Sequence, residues 1–437
     1  MSFKKRILNI LFWSVISAAF IGPGTVTTAA SSGAEYGTDL LWALLFSTLA
    51  CLLLQEAAAR ITIVTGMNLG QSISAYFVDR PSRVAILSFV LGAIFIGNSA
   101  YEMGNLLGAV EGIKLLSNVP SYIPVLFIGA TAAILLSLPS LRIISTILGM
   151  LVVLMGLGFL VTAVMVKPDF SEIVRGTFVP SFPGPRAGVL VLALIGTTIV
   201  PYNLFLGSGL STKSQTLKEM RFGLGLAIIL GGIFSMAVLI SGSAIAGSFS
   251  FEALASVLQE RMGTAGKYLL GFGLFAAGFT STVTAPLAAA ITLSGLFGHG
   301  QEEKWGNKSW RYRVAWIVVL LTGTVFALLN FKPVPAIIIA QALNGFLLPF
   351  VSIFLYVVIQ KSIDRETLIY RISNIFMLLV IFISLIIGLN SAVKALAGLI
   401  APGFVNTPAS QLIIAALSLL VIIMIIIMTG GRAKRRI

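Results

Sequence analysis

Long apolar runs of about 20 residues recur along the whole chain, and they constrain its fold more than any other feature. Inside a bilayer every backbone polar group needs an internal partner, so a spanning segment must be a helix or part of a closed barrel. Barrel strands alternate polar and apolar side chains, which these runs do not. Only 10% of the 437 residues are charged, against roughly 25% in soluble domains. We therefore predict an all-α polytopic membrane protein.

The apolar runs predict about twelve transmembrane helices. They cover residues 7–37, 40–64, 84–112, 123–141, 144–166, 188–212, 221–247, 266–297, 313–330, 334–360, 368–390 and 408–429. No segment between them is long enough to fold as a soluble domain, so residues 1–437 are predicted to form a single transmembrane domain. No buried nucleophile–base pair is visible, which argues against an enzyme, and no cofactor is expected.

Basic residues give the chain a net charge of +14, but their placement argues against binding to nucleic acid. The predicted inner loops and the two termini hold 21 of the 29 Lys and Arg residues. This bias is typical of cytoplasmic loops, so we expect a multi-pass protein of the cell membrane with both termini cytoplasmic. The basic tail, 430–437, is predicted to meet anionic lipid headgroups of the bilayer.

The first and sixth predicted helices are interrupted at corresponding places. Gly22-Pro23-Gly24 breaks the first, and Pro201 breaks the sixth. Because proline removes a backbone donor and clashes with the preceding turn, each segment should split into two half-helices. Paired breaks in two five-helix blocks predict an inverted repeat with a substrate site at the bilayer midplane. The predicted units are a first repeat, a second repeat and two extra C-terminal helices: 7–166, 188–360 and 368–429.

Three stretches resemble the Nramp metal-ion transporters. GPGT, followed by SSGAEYGTDLLWALLFSTLACLLLQEAAARITIVTG, is similar to the family's first two helices, where the break reads Asp-Pro-Gly-Asn. VPYNLFLGS resembles the family's sixth-helix Met-Pro-His-Asn-Leu stretch, and AQALNGFLLPF resembles its tenth helix. The resemblance implies a leucine-transporter-like fold, with two inverted five-helix repeats plus C-terminal helices, and transport of an inorganic cation.

The residues at the family's metal site differ here. The family's Asp is Gly22, and its Asn ligand is Thr25. Its Met, a soft sulfur ligand, is Val200, and the following His is Tyr202. The tenth-helix Gln is kept as Gln341. The resemblance implies a metal site only through these positions. The corresponding site in this chain therefore has neither the family's carboxylate nor its sulfur ligand.

The predicted substrate site offers only neutral donors. They are carbonyls near the breaks, the side chains of Thr25, Thr197, Thr198, Tyr202, Asn203, Gln341 and Asn344, and the neighbouring Gly22 and Val200. Oxygen donors select hard cations, and Mg²⁺ keeps part of its water shell. A hydrated Mg²⁺ is therefore expected over Mn²⁺ or Fe²⁺, held by backbone or hydroxyl oxygens of Gly22, Thr25 and Thr197.

An organic substrate is a second interpretation of the same residues. In leucine-transporter-like folds the positive ends of half-helices point at substrate carboxylates. A break without an acidic side chain would suit a small anionic or zwitterionic solute. The residues leave both substrate classes open, and they leave the oligomeric state open, a monomer included.

Two of the acidic residues in the predicted membrane helices have a specific interpretation. Glu102 in the third helix is interpreted either as a proton carrier or counter-charge, or as the partner of an arginine such as Arg313. Since the family's Asp and His are replaced, we expect no proton coupling of the family's kind. Glu56 and Arg60 stand four residues apart in the second helix and are predicted to form an intrahelical ion pair near the inner surface.

Overall fold

A computed structural model describes most of the chain. The described ranges are 21–81, 83–138, 142–298, 301–306, 308–329, 331–362, 368–400 and 408–430. Their regular secondary structure is helical throughout, with no strand in these ranges. Nine helical segments in these ranges are long and apolar enough to cross a membrane, counting the interrupted segment Ala187–Leu210 as one. The prediction of an all-α polytopic membrane protein is therefore confirmed.

Seventeen helices are described. The first seven are α1 (Pro23–Tyr36), α2 (Leu41–Thr65), α3 (Leu69–Tyr76), α4 (Arg83–Lys114), α5 (Tyr122–Ser137), α6 (Arg142–Val166) and α7 (Phe170–Phe178). The next six are α8 (Ala187–Thr198), α9 (Pro201–Leu210), α10 (Leu217–Gly242), α11 (Phe251–Met262), α12 (Thr264–Phe297) and α13 (Glu302–Trp305). The last four are α14 (Trp310–Leu328), α15 (Pro333–Ser362), α16 (Leu368–Ile400) and α17 (Pro408–Gly430).

Each predicted span after the first contains a described helix at the expected place. The first span is described only from residue 21 onward, so its predicted portion 7–20 lies outside the described residues. Four short helices, α3, α7, α11 and α13, were not predicted, because they are too short to give a hydropathy signal. The signal for α3 was available in its cap: Asn68 and Gln71 form a reciprocal capping box.

The predicted break at Pro201 is present, and a helix begins at Pro23 as predicted, while the half-helix expected before Gly22 lies outside the described residues. Gly22 is extended, with φ −85° and ψ 174°, and α1 begins at Pro23. Helix α8 ends at Thr198, and α9 begins at Pro201 after the non-helical Ile199 and Val200. Proline is favourable at the first position of a helix, where its missing N–H is not needed. Pro23 and Pro201 therefore each occupy the first position of a helix.

Helix packing follows the pairing expected of two inverted repeats. Helix α1 packs on α10, as the broken α8–α9 pair packs on α2. Helix α6 packs on α10, as α15 packs on α2, and α4 meets α15 as α12 meets α6. The two third members, α4 and α12, pack against each other at the centre. Exchanging the repeats preserves these contacts, while the repeat boundaries at 7–166 and 188–360 stay predictions.

The two C-terminal helices lie outside this symmetric arrangement. Helix α16 packs on α15 and contacts α2 and α8, and α17 packs on α16 and α15. Much of α17 is exposed and apolar, as expected of a helix that faces lipid. These two helices therefore lie beside the repeats, on the side formed by α2, α8 and α15.

Candidate functional site

The two helix breaks meet through a hydrogen bond between threonine hydroxyls. Thr25 Oγ1 lies 2.9 Å from Thr197 Oγ1, and both residues are fully buried. Thr25 belongs to the first turn of α1, and Thr197 belongs to the last turn of α8. Residues 172 positions apart in the chain are thus brought into one place, where each half-helix has an open end.

Backbone groups at the two breaks are partnered differently. Pro201 has no N–H to donate to the carbonyl of Thr197, four residues earlier. At the other break, the amides of Thr25 and Val26 both donate to the Gly22 carbonyl, at 3.0 and 3.2 Å. Neither α1 nor α9 has a side-chain N-cap. The site therefore combines an open carbonyl end of α8 with uncapped amide ends of two half-helices.

Gln341 of α15 lies between the two breaks. A Cβ added to Gly24 would overlap its side-chain amide, and a Cβ added to Gly196 would overlap its backbone carbonyl. Glycine at these two positions is therefore what allows α15 to approach both α1 and α8. Gln341 is fully buried, and neither atom of its amide has a hydrogen-bond partner among the described residues.

Other predicted residues occupy the same region with different orientations. Asn203 is buried on α9, and both atoms of its amide lack partners within the described ranges. Asn344 Oδ1 faces α4 at Gly97, where an added Cβ would lie 3.2 Å away. Thr198 donates its hydroxyl to the Leu194 carbonyl at 2.8 Å, so that hydroxyl is used within α8. Val200 is buried in the non-helical link and offers no side-chain donor.

Helices α4 and α12 supply two residues that sequence reasoning missed. A Cβ on Gly22 would lie 3.2 Å from the Tyr101 hydroxyl and 3.5 Å from Ser281 Oγ. The Tyr101 ring packs edge-on against the Tyr202 ring, with centroids 5.3 Å apart. Both residues stand in polar stretches of apolar helices: Tyr101 precedes Glu102, and Ser281 lies in the hydroxyl run TSTVT. These polar stretches were the sequence signal that could have identified Tyr101 and Ser281.

Glu102 lies beside this region but faces another helix. It is fully buried, and its Oε2 accepts a 3.4 Å hydrogen bond from the Asn105 amide. A Cβ on Gly323 of α14 would overlap the Glu102 side chain. Arg313 stands ten residues earlier on α14, which is about 15 Å along the helix. None of the ion pairs between described residues includes Glu102, so the interpretation that Arg313 neutralises it is wrong.

The chemistry of the site is polar and uncharged. Hydroxyls, amides and freed carbonyls surround the breaks, and no group of three His, Cys, Asp or Glu side chains comes together in the described part of the chain. Buried polar groups without partners are destabilising unless a ligand or water satisfies them. The unpartnered amides of Asn203 and Gln341 therefore make this region the candidate binding site.

Comparisons with curated proteins give relatives along most of the chain. The divalent metal cation transporter MntH of Yersinia pestis (strain Pestoides F) is 25% identical over 404 residues, 89% of this chain and 95% of the relative. The protein of the same name from Deinococcus radiodurans is 27% identical over 365 residues, 79% of this chain and 80% of the relative.

Comparisons with solved structures support the fold. The manganese transporter of Eremococcus coleocola, solved with an aromatic bis-isothiourea substituted compound, matches with a TM-score of 0.69 and 20% identity, over 98% of this chain and 93% of that chain. MhsT in complex with L-phenylalanine matches with a TM-score of 0.59 and 13% identity, over 87% and 98% of the two chains. These likenesses confirm the leucine-transporter-like fold.

A family model settles the relationship. Residues 14–394 match the model described as natural resistance-associated macrophage protein-like. That match includes both helix breaks, Gln341 and all ten helices of the two predicted repeats except the first few residues. The chain is thus a multi-pass membrane protein that belongs to the Nramp family.

Proposed function

We propose that this protein is a secondary transporter, and not an enzyme, that carries a hydrated divalent cation across the membrane by alternating access. Family membership and the relatives named as divalent metal cation transporters support a metal-ion substrate. The observation that carries the proposal is the ring of neutral oxygen and amide groups at the two breaks, joined by the Thr25–Thr197 hydrogen bond.

Mg²⁺ suits these donors better than Mn²⁺ or Fe²⁺. Selective binding of Mn²⁺ or Fe²⁺ draws on softer ligands, and Val200 stands where the resemblance places a methionine sulfur. A bare divalent ion would be poorly stabilised by a buried site without a carboxylate. Mg²⁺ usually keeps several waters, whose shell would screen part of the charge and could bond to Thr25, Thr197 and Gln341. We therefore propose a hydrated ion as the transported species.

Transport is proposed to proceed without the proton coupling that the family resemblance implies. Direct coupling needs a titratable group whose protonation changes when substrate binds. Gly22 has no side chain, and Tyr202 replaces the imidazole. Glu102, a carboxylate buried beside this region, packs its Cβ and Cγ on Gly323 of α14 and accepts a hydrogen bond from Asn105. This arrangement supports uniport, with Glu102 as the candidate for an indirect proton pathway.

The orientation of the chain in the membrane is proposed from the placement of its charged residues. The excess of Lys and Arg in the predicted inner loops supports a cell-membrane protein with both termini cytoplasmic. The amino-terminal start of α2 and the outer end of α1 then face outward. There Arg186 Nη1 lies 2.9 Å from Glu35 Oε2, so an ion pair ties the loop before α8 to the end of α1.

A small anionic or zwitterionic organic solute is a second candidate substrate. Helices α1 and α9 both begin at the breaks without a side-chain cap, so their positive ends are free to meet an anionic group. The amides of Asn203 and Gln341 could then orient the rest of the solute. The fold itself is compatible with such a substrate, since the structure of MhsT was solved with L-phenylalanine.

Uptake into proteoliposomes tests the choice of substrate. Liposomes containing the full chain and an entrapped Mg²⁺ dye should take up Mg²⁺ in a saturable manner, faster than empty liposomes. Mn²⁺ presented at the same concentration should enter more slowly. Absence of uptake for every divalent ion at millimolar concentration would reject the cation proposal. Binding of amino acids to the same preparation would then support the organic solute.

A further inference from the structure

A crevice of about 730 Å³ lies between α2, α10 and α16, away from the helix breaks. We propose that it binds an anionic phospholipid, with one acyl chain along its apolar walls and the phosphate at Arg60 and Arg221. This inference is independent of the transported substrate, because none of the residues at the breaks lines the crevice.

The walls of the crevice suit an acyl chain. They consist mainly of leucine, isoleucine and phenylalanine side chains, among them Leu52, Leu53, Leu224 and Ile383. Leu49 and Phe376 line the crevice and are about half exposed, so it opens at the surface of the helix bundle. A lipid could therefore enter sideways from the bilayer.

The length of the crevice matches one leaflet. On α2 it extends from Phe46 to Arg60, fourteen residues or about 21 Å of helix. On α16 it extends from Ser373 to Ile383, ten residues or about 15 Å. Half of a hydrocarbon core is about 15 Å thick. An acyl chain in this crevice would thus run from the headgroup level to the middle of the bilayer.

The charged end of the crevice has an excess of positive charge. Glu56 lies 3.3 Å from Arg60 Nε and 2.9 Å from Arg221 Nη2, so one carboxylate serves two guanidinium groups. This confirms the predicted Glu56–Arg60 ion pair. It also adds Arg221 as a second partner of Glu56, which was not predicted from the sequence. The resulting net charge of the three side chains complements the single negative charge of a phosphodiester.

Arg60 is the strongest indication that a ligand binds here. Its side chain is only 7% exposed, and its guanidinium lies over the Tyr370 ring, 5.2 Å from the centroid. Its Nη2 has no hydrogen-bond partner among the described residues, and neither has the buried Oγ of Ser373 beside it in the crevice. A buried guanidinium without a full set of acceptors is destabilising, and phosphate oxygens are its natural partners.

The position of the charged end fits the inner leaflet. Arg60 is near the end of α2, Arg221 is near the start of α10, and Tyr370 is near the start of α16. These three helix ends are predicted to be cytoplasmic. Basic pockets between helices on that side are where anionic headgroups bind. The apolar walls then extend toward the bilayer midplane, as an inner-leaflet lipid requires.

Native mass spectrometry of the full chain tests the proposal. The protein is equilibrated with equimolar vesicles of dioleoyl phosphatidylglycerol and dioleoyl phosphatidylcholine and then extracted in mild detergent. Phosphatidylglycerol should be retained in preference. Arg221→Gln should reduce that preference roughly fivefold, the effect of about one surface cation. Lys218→Gln, an exposed charge in the same first turns of α10 that does not line the crevice, should leave it unchanged.

A second pair of variants tests the acyl-chain position without altering charge. Gly225 lines the crevice, and an added Cβ would meet only Leu52 Cδ1, at 3.9 Å. Gly225→Leu should fold and should lower retention of phosphatidylglycerol, because its side chain fills the crevice. Gly92→Leu is the control, since a Cβ there meets no atom within 4 Å. Equal retention of both lipids by the unmodified protein, or full retention by Gly225→Leu, would overturn the proposal.

Discussion

Two neighbouring residues of α4 mark two regions with different chemistry. The hydroxyl of Tyr101 reaches Gly22 at the first helix break, whereas the Cβ and Cγ atoms of Glu102 pack against Gly323 of α14, and its carboxylate accepts a hydrogen bond from Asn105 of the same helix. Both residues are fully buried. The break region is polar but neutral, and the charged side chain one position along α4 packs on a different helix. The comparison shows that the buried carboxylate of this chain has its hydrogen bond within α4, apart from the Thr25–Thr197 contact that joins the breaks.

That difference carries a functional consequence. A carboxylate in contact with a cation would release its proton on binding, and so couple the two movements. Because the Glu102 side chain packs on α14 and its carboxylate is hydrogen-bonded to Asn105, we expect no such direct contact. The following variants test whether the two regions are as separate as their geometry indicates, from the largest expected effect to the smallest.

The largest effect is expected at Gly196, where α8 lies against the backbone of α15 near the second break. Gly196→Val would force α8 away from α15, because its Cβ overlaps the Gln341 carbonyl and the Gly345 amide nitrogen. Overpacking of this kind costs about 1–3 kcal/mol or more. The thermal unfolding midpoint of the detergent-solubilised protein should fall by several degrees, and uptake should be lost. Gly92→Val, in open space, should leave both intact.

Placing a carboxylate in the neutral region should change affinity strongly. Gln341→Glu would add a charge between the breaks, and Coulomb attraction should raise the affinity for a divalent cation at least about tenfold. Isothermal titration with Mg²⁺ measures this. Gln215→Glu, which adds the same charge in the loop before α10, serves as control. Weaker Mg²⁺ binding by Gln341→Glu would contradict a cation site at the breaks.

Placing a carboxylate and a sulfur at the two positions where the family resemblance has them should change the preferred metal. Gly22→Asp combined with Val200→Met is expected to bind Mn²⁺, because carboxylate and thioether ligands suit a softer divalent ion. A triple variant with Tyr101→Phe makes room for the new side chain, since the hydroxyl lies 3.2 Å from the position of the added Cβ. Calorimetry that detects no Mn²⁺ binding in either combination would show that the pocket no longer has a metal-binding shape.

A smaller effect is expected from the hydrogen bond that joins the breaks. Thr197→Val removes the donor or acceptor opposite Thr25 and should lower stability by about 1 kcal/mol. Thr27→Val is the matched control, because the Thr27 hydroxyl is buried and has no hydrogen-bond partner among the described residues. Chemical denaturation should therefore separate the two variants, and equal loss in both would remove the special role of the Thr25–Thr197 contact.

The smallest effect is expected in the charged region. Glu102→Gln retains the shape and the contact with Asn105, and it should leave the rate of Mg²⁺ uptake unchanged at every external pH. Uptake assays at two pH values with matched lumenal buffers measure this. Loss of a pH-dependent component in the variant would show that Glu102 takes part in transport.

The sequence predicted the helices and their breaks well because both signals are local. Apolar run length located the spans, and Pro23 and Pro201 located the breaks. What the sequence could not supply was contact across the bundle. Tyr101 and Ser281 reach Gly22 only through the packing of α4, α12 and α1, and Glu102 faces α14 for the same reason. Side-chain direction on an apolar helix has no pattern to read when all faces are apolar.

Simultaneous recording of lumenal Mg²⁺ and lumenal pH in the same proteoliposomes tests the central claim most directly. The full chain is reconstituted with two entrapped dyes, and an inward Mg²⁺ gradient is applied with the membrane potential clamped. The account predicts saturable Mg²⁺ entry with no accompanying change of lumenal pH. Acidification that rises in proportion to Mg²⁺ entry would contradict it, since protons would then move with the metal.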